Sequence, residues 1–239
     1  MTNIAEQTLA SIVTANHQTV PVLEKYNLDF CCKGKRTLSE ACTEKGLSLE
    51  AILEELQIST GGDTALQFSA MNAEQLVQHI LLRHHFYVKQ SMPSIQDHLV
   101  KVAAKHGDRF PYMFEVLNLF ITLRNEMSLH MQKEEVILFP RIKEIESLYL
   151  FKQKRNIESN YIFGPVGVLE NEHDIAGEIM SCIRELTGNY TAPGEACTTF
   201  KVVLAELKEF EEDLHKHVHL ENNLLFPLAE KMLETVNAS

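Results

Sequence analysis

Through the last two-thirds of the chain, apolar residues recur in alternating steps of three and four. That spacing keeps one stripe of a helix turned toward the inside of a bundle. Four such seams can be traced. The first runs Leu81, His85, Val88, Met92, Ile95, Leu99, and the second Val116, Phe120, Leu123, Met127, His130, Glu134, Ile137. The third runs Val166, Leu169, His173, Ala176, Met180, Ile183, and the fourth Val203, Leu207, Phe210, Leu214, His217, Glu221, Leu224. They predict long helices at about 72–105, 110–146, 165–187 and 197–233. Pro111 and Pro165 fall near helix starts, where a missing amide proton costs little, whereas Pro140 and Pro227 fall late and predict a kink or an early end. Residues 151–161 show no period and are expected to form a long surface connection. Short links elsewhere imply an all-α fold built on an up-down-up-down four-helix bundle.

Every seam contains polar residues where core belongs. The second and fourth seams carry the same motif, H-x3-E-x4-F-P, and 87 residues separate His130 from His217, Glu134 from Glu221 and Phe139 from Phe226. A His and a Glu four apart on a helix project from one face, a turn above each other. The first and third seams each add one histidine, His85 and His173. A buried, unpartnered carboxylate costs several kcal/mol, so two of them in a core call for neutralisation, most simply by a metal. Four imidazoles and two carboxylates from four helices suit two metals, each held by two histidines, with Glu134 and Glu221 bridging. Ligation without thiolate favours iron or manganese over structural zinc, although affinity alone would admit zinc or copper. Six protein ligands leave positions open on two such ions, which points to chemistry or small-ligand binding.

Residues 1–60 predict a small helical domain, and 61–70 a linker joining it to the bundle at 71–239. Thr37-Leu-Ser-Glu40 has the form of a capping box, with Gly46 as a stop, and Ser48 opens a further helix through about Gln57. So small a domain is expected to lean on its neighbour. It carries Cys31 and Cys32, adjacent thiols that cannot form an unstrained disulfide with each other. Lys33, Lys35 and Arg36 would favour their thiolates, so a pair that receives iron, reacts with nitric oxide or exchanges disulfides is expected. Cys42, Cys182 and Cys197 read as small core residues. Glu126 and Asp213, one turn before His130 and His217, and Glu172, beside His173, are candidates for orienting imidazoles or passing protons, against the alternative of a solvated face. His17, His79, His84, His98, His106, His215 and His219 read as surface or rim residues.

A net charge of −11 argues against binding to nucleic acid or to an anionic membrane surface. No apolar run approaches the roughly 20 residues of a membrane helix, and the first residues lack a signal-peptide pattern, giving a cytoplasmic expectation. Five cysteines, two of them adjacent, suit thiols better than a disulfide framework.

The paired motifs resemble the hemerythrin-like four-helix fold. More fully, the chain is similar to the di-iron repair-of-iron-centres family, of the YtfE/ScdA type. The matching segments are Asp29-Phe-Cys-Cys-Lys-Gly34, Ser128-Leu-His-Met-Gln-Lys-Glu-Glu135, Glu170-Asn-Glu-His-Asp-Ile-Ala-Gly-Glu178, Glu195-Ala-Cys-Thr-Thr199 and His219-Leu-Glu-Asn-Asn223. They span nearly the whole chain, although the stretch near 147–161 is longer than the family usually has, and His84 stands where the family usually has a tyrosine. The resemblance implies that His85, His130, Glu134, His173, His217 and Glu221 bind two non-haem iron ions joined by an oxo or hydroxo bridge. It implies a stress-response protein, not an enzyme in the ordinary sense, that restores iron–sulfur clusters damaged by nitric oxide or oxidants. Its partners would then be damaged iron–sulfur proteins, with NO or O2 as small ligands, and the linker leaves room for a homodimer that exchanges modules. Competing expectations are a sensor or carrier of NO or O2, and reduction of NO or peroxide at the same site. A zinc hydrolase stands further off, because the site lacks a separate general base.

Overall fold

Residues 4–31, 33–59 and 68–238 are described by the structure, a computed structural model, and the regular elements among them are helices, with one isolated bridge between Thr8 and Thr37. Cys32 and linker positions 60–67 lie outside the described residues. Four short helices form the N-terminal module: α1 (Leu9–Ala15), α2 (Val20–Lys25), α3 (Leu38–Lys45) and α4 (Leu49–Ser59). The capping box at α3 closes reciprocally, Thr37 Oγ1 accepting from the Glu40 N–H at 3.2 Å and Glu40 Oε2 from the Thr37 N–H at 2.9 Å. Gly46 ends that helix at φ 64°, a left-handed position natural to glycine. Gly34 is required for another reason. The Cys31 loop folds back so that the Ala10 N–H donates to the Gly34 carbonyl at 2.9 Å, and a Cβ at Gly34 would meet the Phe30 carbonyl oxygen at 2.2 Å.

The bundle follows the four seams. Helix α5 (Ala73–His79) passes through a π turn (Ile80–His85) into α6 (Phe86–His106), and α7 (Tyr112–Lys133) through a π turn (Glu134–Leu138) into α8 (Phe139–Leu150). Helix α9 (Phe163–Leu186) is uninterrupted, and α10 (Thr198–Leu220) passes through a π turn (Glu221–Leu225) into α11 (Phe226–Asn237). Helix α6 packs on α7 and α10, and α9 on both α7 and α10, which closes the up-down-up-down ring. Among the described residues no helix is long and apolar enough to cross a membrane.

The π turns correct two expectations. In each H-x3-E-x4-F-P copy the phenylalanine N–H reaches back five residues, from Phe139 to the Glu134 carbonyl and from Phe226 to the Glu221 carbonyl. Pro140 and Pro227, which have no N–H to give, then open a fresh α-helical stretch of 12 residues in each case rather than ending the helix. A widened turn has already surrendered the bond that proline cannot make. It also inserts one residue into the period. Ile137 is therefore 42% exposed and Leu224 only half-buried, while Leu138 and Leu225 take the core positions; in the first helix Ile80 is buried in place of Leu81.

Two apolar clusters fill the molecule. One joins the N-terminal module to the half of the bundle holding Val88, Phe120, Met180 and Phe210, and the other fills the opposite half around Ile80, Phe139, Leu169 and Phe226. The module therefore shares its core with the bundle, as its size demands. It also makes polar contacts with α10, where His215 Nδ1 lies 3.3 Å from Glu24 and His219 Nε2 lies 3.5 Å from Thr14 Oγ1. Of the three cysteines read as core, Cys42 is buried and Cys197, just before α10, is partly buried against the same apolar cluster, but Cys182 is exposed.

One buried carboxylate far from the seams has a structural task. Glu146 in α8 accepts from the Ala73 N–H at 2.8 Å and the Glu74 N–H at 2.9 Å, capping α5 across the bundle. Replacing Glu146 with Ala leaves both amides without their acceptor and is expected to lower unfolding stability by about 2 kcal/mol. Urea unfolding of the metal-free protein measures this, and an unchanged midpoint contradicts the assignment.

Candidate metal centre

Between the two apolar clusters the four helices bring six polar side chains into one layer. His85, His130, Glu134, His173, His217 and Glu221 are each no more than 2% exposed. They form two groups of possible metal donors: His85, Glu134, His217 and Glu221 in one, His130, Glu134, His173 and Glu221 in the other, with all donor atoms in a group within 4.8 Å of one another. Both carboxylates belong to both groups. Glu134 Oε2 lies 3.2 Å from His85 Nε2 and 3.4 Å from His130 Nε2; Glu221 lies 3.2 Å from His173 Nε2 and 2.9 Å from His217 Nε2. The structure thus brings together all six residues read from the seams.

The donor set fits a pair of cations. His85 Nε2, both oxygens of Glu134 and Glu221 Oε2 are buried without a hydrogen-bond partner, although they lie close together, so their lone pairs converge rather than pair off. Burial and mutual repulsion work against ionised Glu134 and Glu221, yet the histidines outweigh both and hold the two carboxyls below their ordinary range. Burial likewise opposes charge on His85 and His130, but the facing carboxylates push their pKa values up to about 10 and about 9. His85 and His130 therefore gather positive charge wherever no other cation supplies it, whereas burial lowers the pKa of His217, and metal binding at the layer would exchange protons for metal. Four protein donors per position, none of them a thiolate, leave room for small ligands on an ion that prefers five or six.

Around this layer lies a ring of partners that fixes the imidazoles from behind. His85 Nδ1 donates to Glu135 at 2.7 Å, His130 Nδ1 to Glu172 at 3.0 Å and His173 Nδ1 to Asn222 at 2.8 Å. Each bond places the N–H on Nδ1 and turns the Nε2 lone pair inward. Glu135 and Glu172 are themselves held by Lys89, at 2.6 Å, and Lys133. Burial alone would raise both carboxyls, but the lysine and histidine partners bring them below the ordinary carboxylate range.

Of the candidates for orienting an imidazole, Glu172 lies within hydrogen-bond reach of His130, whereas Glu126 is exposed and faces away from the layer. Its counterpart Asp213 points inward instead and accepts from His84 Nδ1 at 3.0 Å. Glu135 and Asn222 escaped the sequence reading, yet they are again 87 residues apart and each directly follows one of the two shared glutamates, which is the signal that finds them. His84 and His219, read as surface or rim residues, are buried at 4% and 1% exposure.

Cys31 is buried within the module, its N–H and thiol both donating to Asp29 Oδ1, at 3.1 and 3.2 Å. Asn223, two residues beyond Glu221, donates to the Cys31 carbonyl at 3.4 Å. A small pocket of about 120 Å³ beside it is lined by Cys31, Lys35, Glu170, Asp174, Asn222 and Asn223.

Two families match the chain. The ScdA_N family, described as a domain of unknown function, covers residues 5–59, and the hemerythrin HHE cation binding domain covers residues 76–229. The iron-sulfur cluster repair protein YtfE of Shigella boydii serotype 4 is 35% identical over 225 residues, which span 94% of this chain and 96% of that protein. The protein of the same name from Cronobacter sakazakii is 34% identical over 224 residues, with the same coverage of 94% and 96%. That from Escherichia coli O8 is 35% identical over 225 residues, again covering 94% and 96%.

Two outcomes follow from this geometry. Glu135→Ala or Asn222→Ala frees an imidazole and is expected to weaken metal binding by roughly 10- to 100-fold, while Glu126→Ala leaves it unchanged. Competition against a chelator of known affinity reads the difference, and equal affinities across the three variants would contradict the ring of partners. Replacing His130 and Glu134 together with leucine takes donors from both groups and is expected to abolish the uptake of two metal ions; a variant that still binds two ions per chain would contradict the sharing of Glu134.

Proposed function

The chain belongs to the YtfE-type family of iron–sulfur cluster repair proteins, and on that premise we propose that it restores clusters damaged by nitric oxide or oxidants with iron held at the His85, His130, Glu134, His173, His217 and Glu221 layer. The observation that carries this reading is the sharing of both carboxylates between two four-donor groups. Iron bound there would supply both the metal for rebuilding a cluster and open positions for NO or O2. Repair in this sense is metal supply to another protein, distinct from turnover of a small substrate, and damaged iron–sulfur proteins are the partners it requires.

The protein's own residues are arranged for loading and unloading. Glu134 and Glu221 each serve both positions, so an ion leaving one position does not leave a carboxylate without use. Glu135, Glu172 and Asn222 keep the imidazoles aimed inward in either state. Asn223, two residues beyond Glu221, donates to the Cys31 carbonyl, and the small pocket beside Cys31 also touches Asp174 and Asn222, the chain neighbours of His173 and Glu221. That placement supports a role for the thiol in docking or relay between the centre and a client; Cys32 belongs to the same proposal by its position in the chain.

The protein purified without added metal is expected to hold two irons per chain that a mild chelator removes, and the loaded form to restore activity to a nitrosylated cluster enzyme. Metal-free protein and a Cys31→Ala/Cys32→Ala variant should restore less. Equal recovery with all three would sink the proposal, and iron that stays bound through many cycles of NO or O2 uptake would turn the reading toward a sensor or carrier.

A further inference from the structure

The two halves of the layer are alike in their ligands but differ in what backs them. On one side Glu172, just before His173, accepts from His130 Nδ1 and is itself held by Lys133. The corresponding residue on the other side, just before His85, is His84. Its ring stacks on His217 with centroids 5.5 Å apart and planes 4° from parallel, and His217 Nδ1 has no hydrogen-bond partner. A third imidazole thus stands where a carboxylate would have oriented the ligand.

The row continues outward. His79, half-buried, lies 5.7 Å from His84; Phe68 lies 4.9 Å from His79; and His17, half-buried in the N-terminal module, lies 5.1 Å from Phe68. Asp213 stands beside His84, with Oδ1 accepting from its Nδ1 and with Oδ2 buried and unpartnered. Packing alone would be served by carbon side chains, and three histidines with an unsatisfied carboxylate oxygen are a costly way to fill a core. They are, however, the donor types that bind iron, zinc or cobalt. Metal–imidazole bonds of about 2 Å allow one ion to touch two rings spaced as His79 and His84 are, while Phe68 stands between His79 and His17. Burial lowers the pKa of both His17 and His79, with neighbouring cationic groups adding to it, so both present neutral nitrogens near pH 7.

We propose that His17, His79 and His84, with the Asp213 carboxylate, form a path along which divalent metal ions pass between solvent and the His85/His217 side of the centre. The path rests on the metal reading of the layer and adds to it a side and a direction. His17 belongs to the N-terminal module while the other members belong to the bundle, so the outer end of the path lies at the seam between them.

Cobalt(II) absorption, followed in a stopped-flow instrument with the full-length metal-free protein, tests the path without calling on repair activity. The variants are His79→Phe, which keeps a ring against Phe68 but offers no donor, and His79→Cys, which restores a donor. The expected result is an unchanged end point of about two cobalt ions per chain in all three proteins. Loading and chelator extraction should slow about tenfold or more in His79→Phe and recover in His79→Cys. Unchanged rates in His79→Phe overturn the path, as does an equal slowing in both variants or a lost end point, each of which marks His79 as structural. A wild-type protein that takes up no cobalt(II) overturns the metal reading itself, an outcome separate from normal uptake at unaltered rates.

Discussion

Two carboxylates and four imidazoles, fully withdrawn from water, cut the apolar core of this protein in two. Every other feature of the bundle answers that constraint. Burying six polar groups in one layer forfeits dispersion and hydrophobic contact across a whole cross-section, and the loss is tolerable only if the groups satisfy one another through charge or through a bound cation. The apolar clusters on either side are accordingly large and separate, each able to hold its ends of the helices together. The N-terminal module completes one of them, which explains why a domain too small to stand alone is tied to this bundle.

The repeated motif is best understood as a backbone device as much as a ligand set. Both shared glutamates open a π turn, and both turns end on a phenylalanine whose N–H skips to the fifth residue back, followed by a proline that could not have continued the α-helical ladder. The first helix has its own π turn ending at His85. Three of the four ligand-bearing helices therefore change phase at the layer. A regular helix keeps one stripe facing inward; a helix that inserts a residue can face a metal layer with one stripe and the core beyond it with another. The final Phe-Pro of each motif, whose Phe139 and Phe226 rings stack on His85 and His173 but offer no donor atom, acquires a further physical reason in this way.

The same phase change marks how far the sequence could be read. Helix existence, order and approximate bounds followed from the three-and-four spacing, and the six donors followed from polar residues at seam positions, because both depend on a period that holds over many turns. Leu81, Ile137 and Leu224 were misplaced because a π turn leaves no compositional trace beyond the proline after it. Glu126 and Asp213 occupy equivalent positions within the repeat and read alike in the sequence, but only Asp213 finds an inward-facing partner, His84. Glu135 and Asn222 were overlooked although they obey the 87-residue offset, since an acid and an amide do not look like one role until the imidazoles they hold are in view. His84 read as a surface or rim residue, and only its burial and its stacking on His217 show that it belongs to the layer's surroundings.

On the proposed function the centre gives up metal, and such a centre faces opposing demands. It must be preformed, or each loading would have to order the ligands again, yet it must not hold its cargo so well that nothing removes it. The outer ring serves the first demand: lysine-held glutamates and an asparagine fix three of the four imidazoles whether or not they are ligating, so the arrangement is set by protein contacts alone. The shared carboxylates serve the second, because six donors for two positions, with both carboxylates in common, would leave each ion open to further ligands. The fourth imidazole, His217, is the exception, stacked on His84 without a partner at Nδ1. A ligand less firmly oriented than its three counterparts makes its side of the layer the place where exchange meets the least resistance.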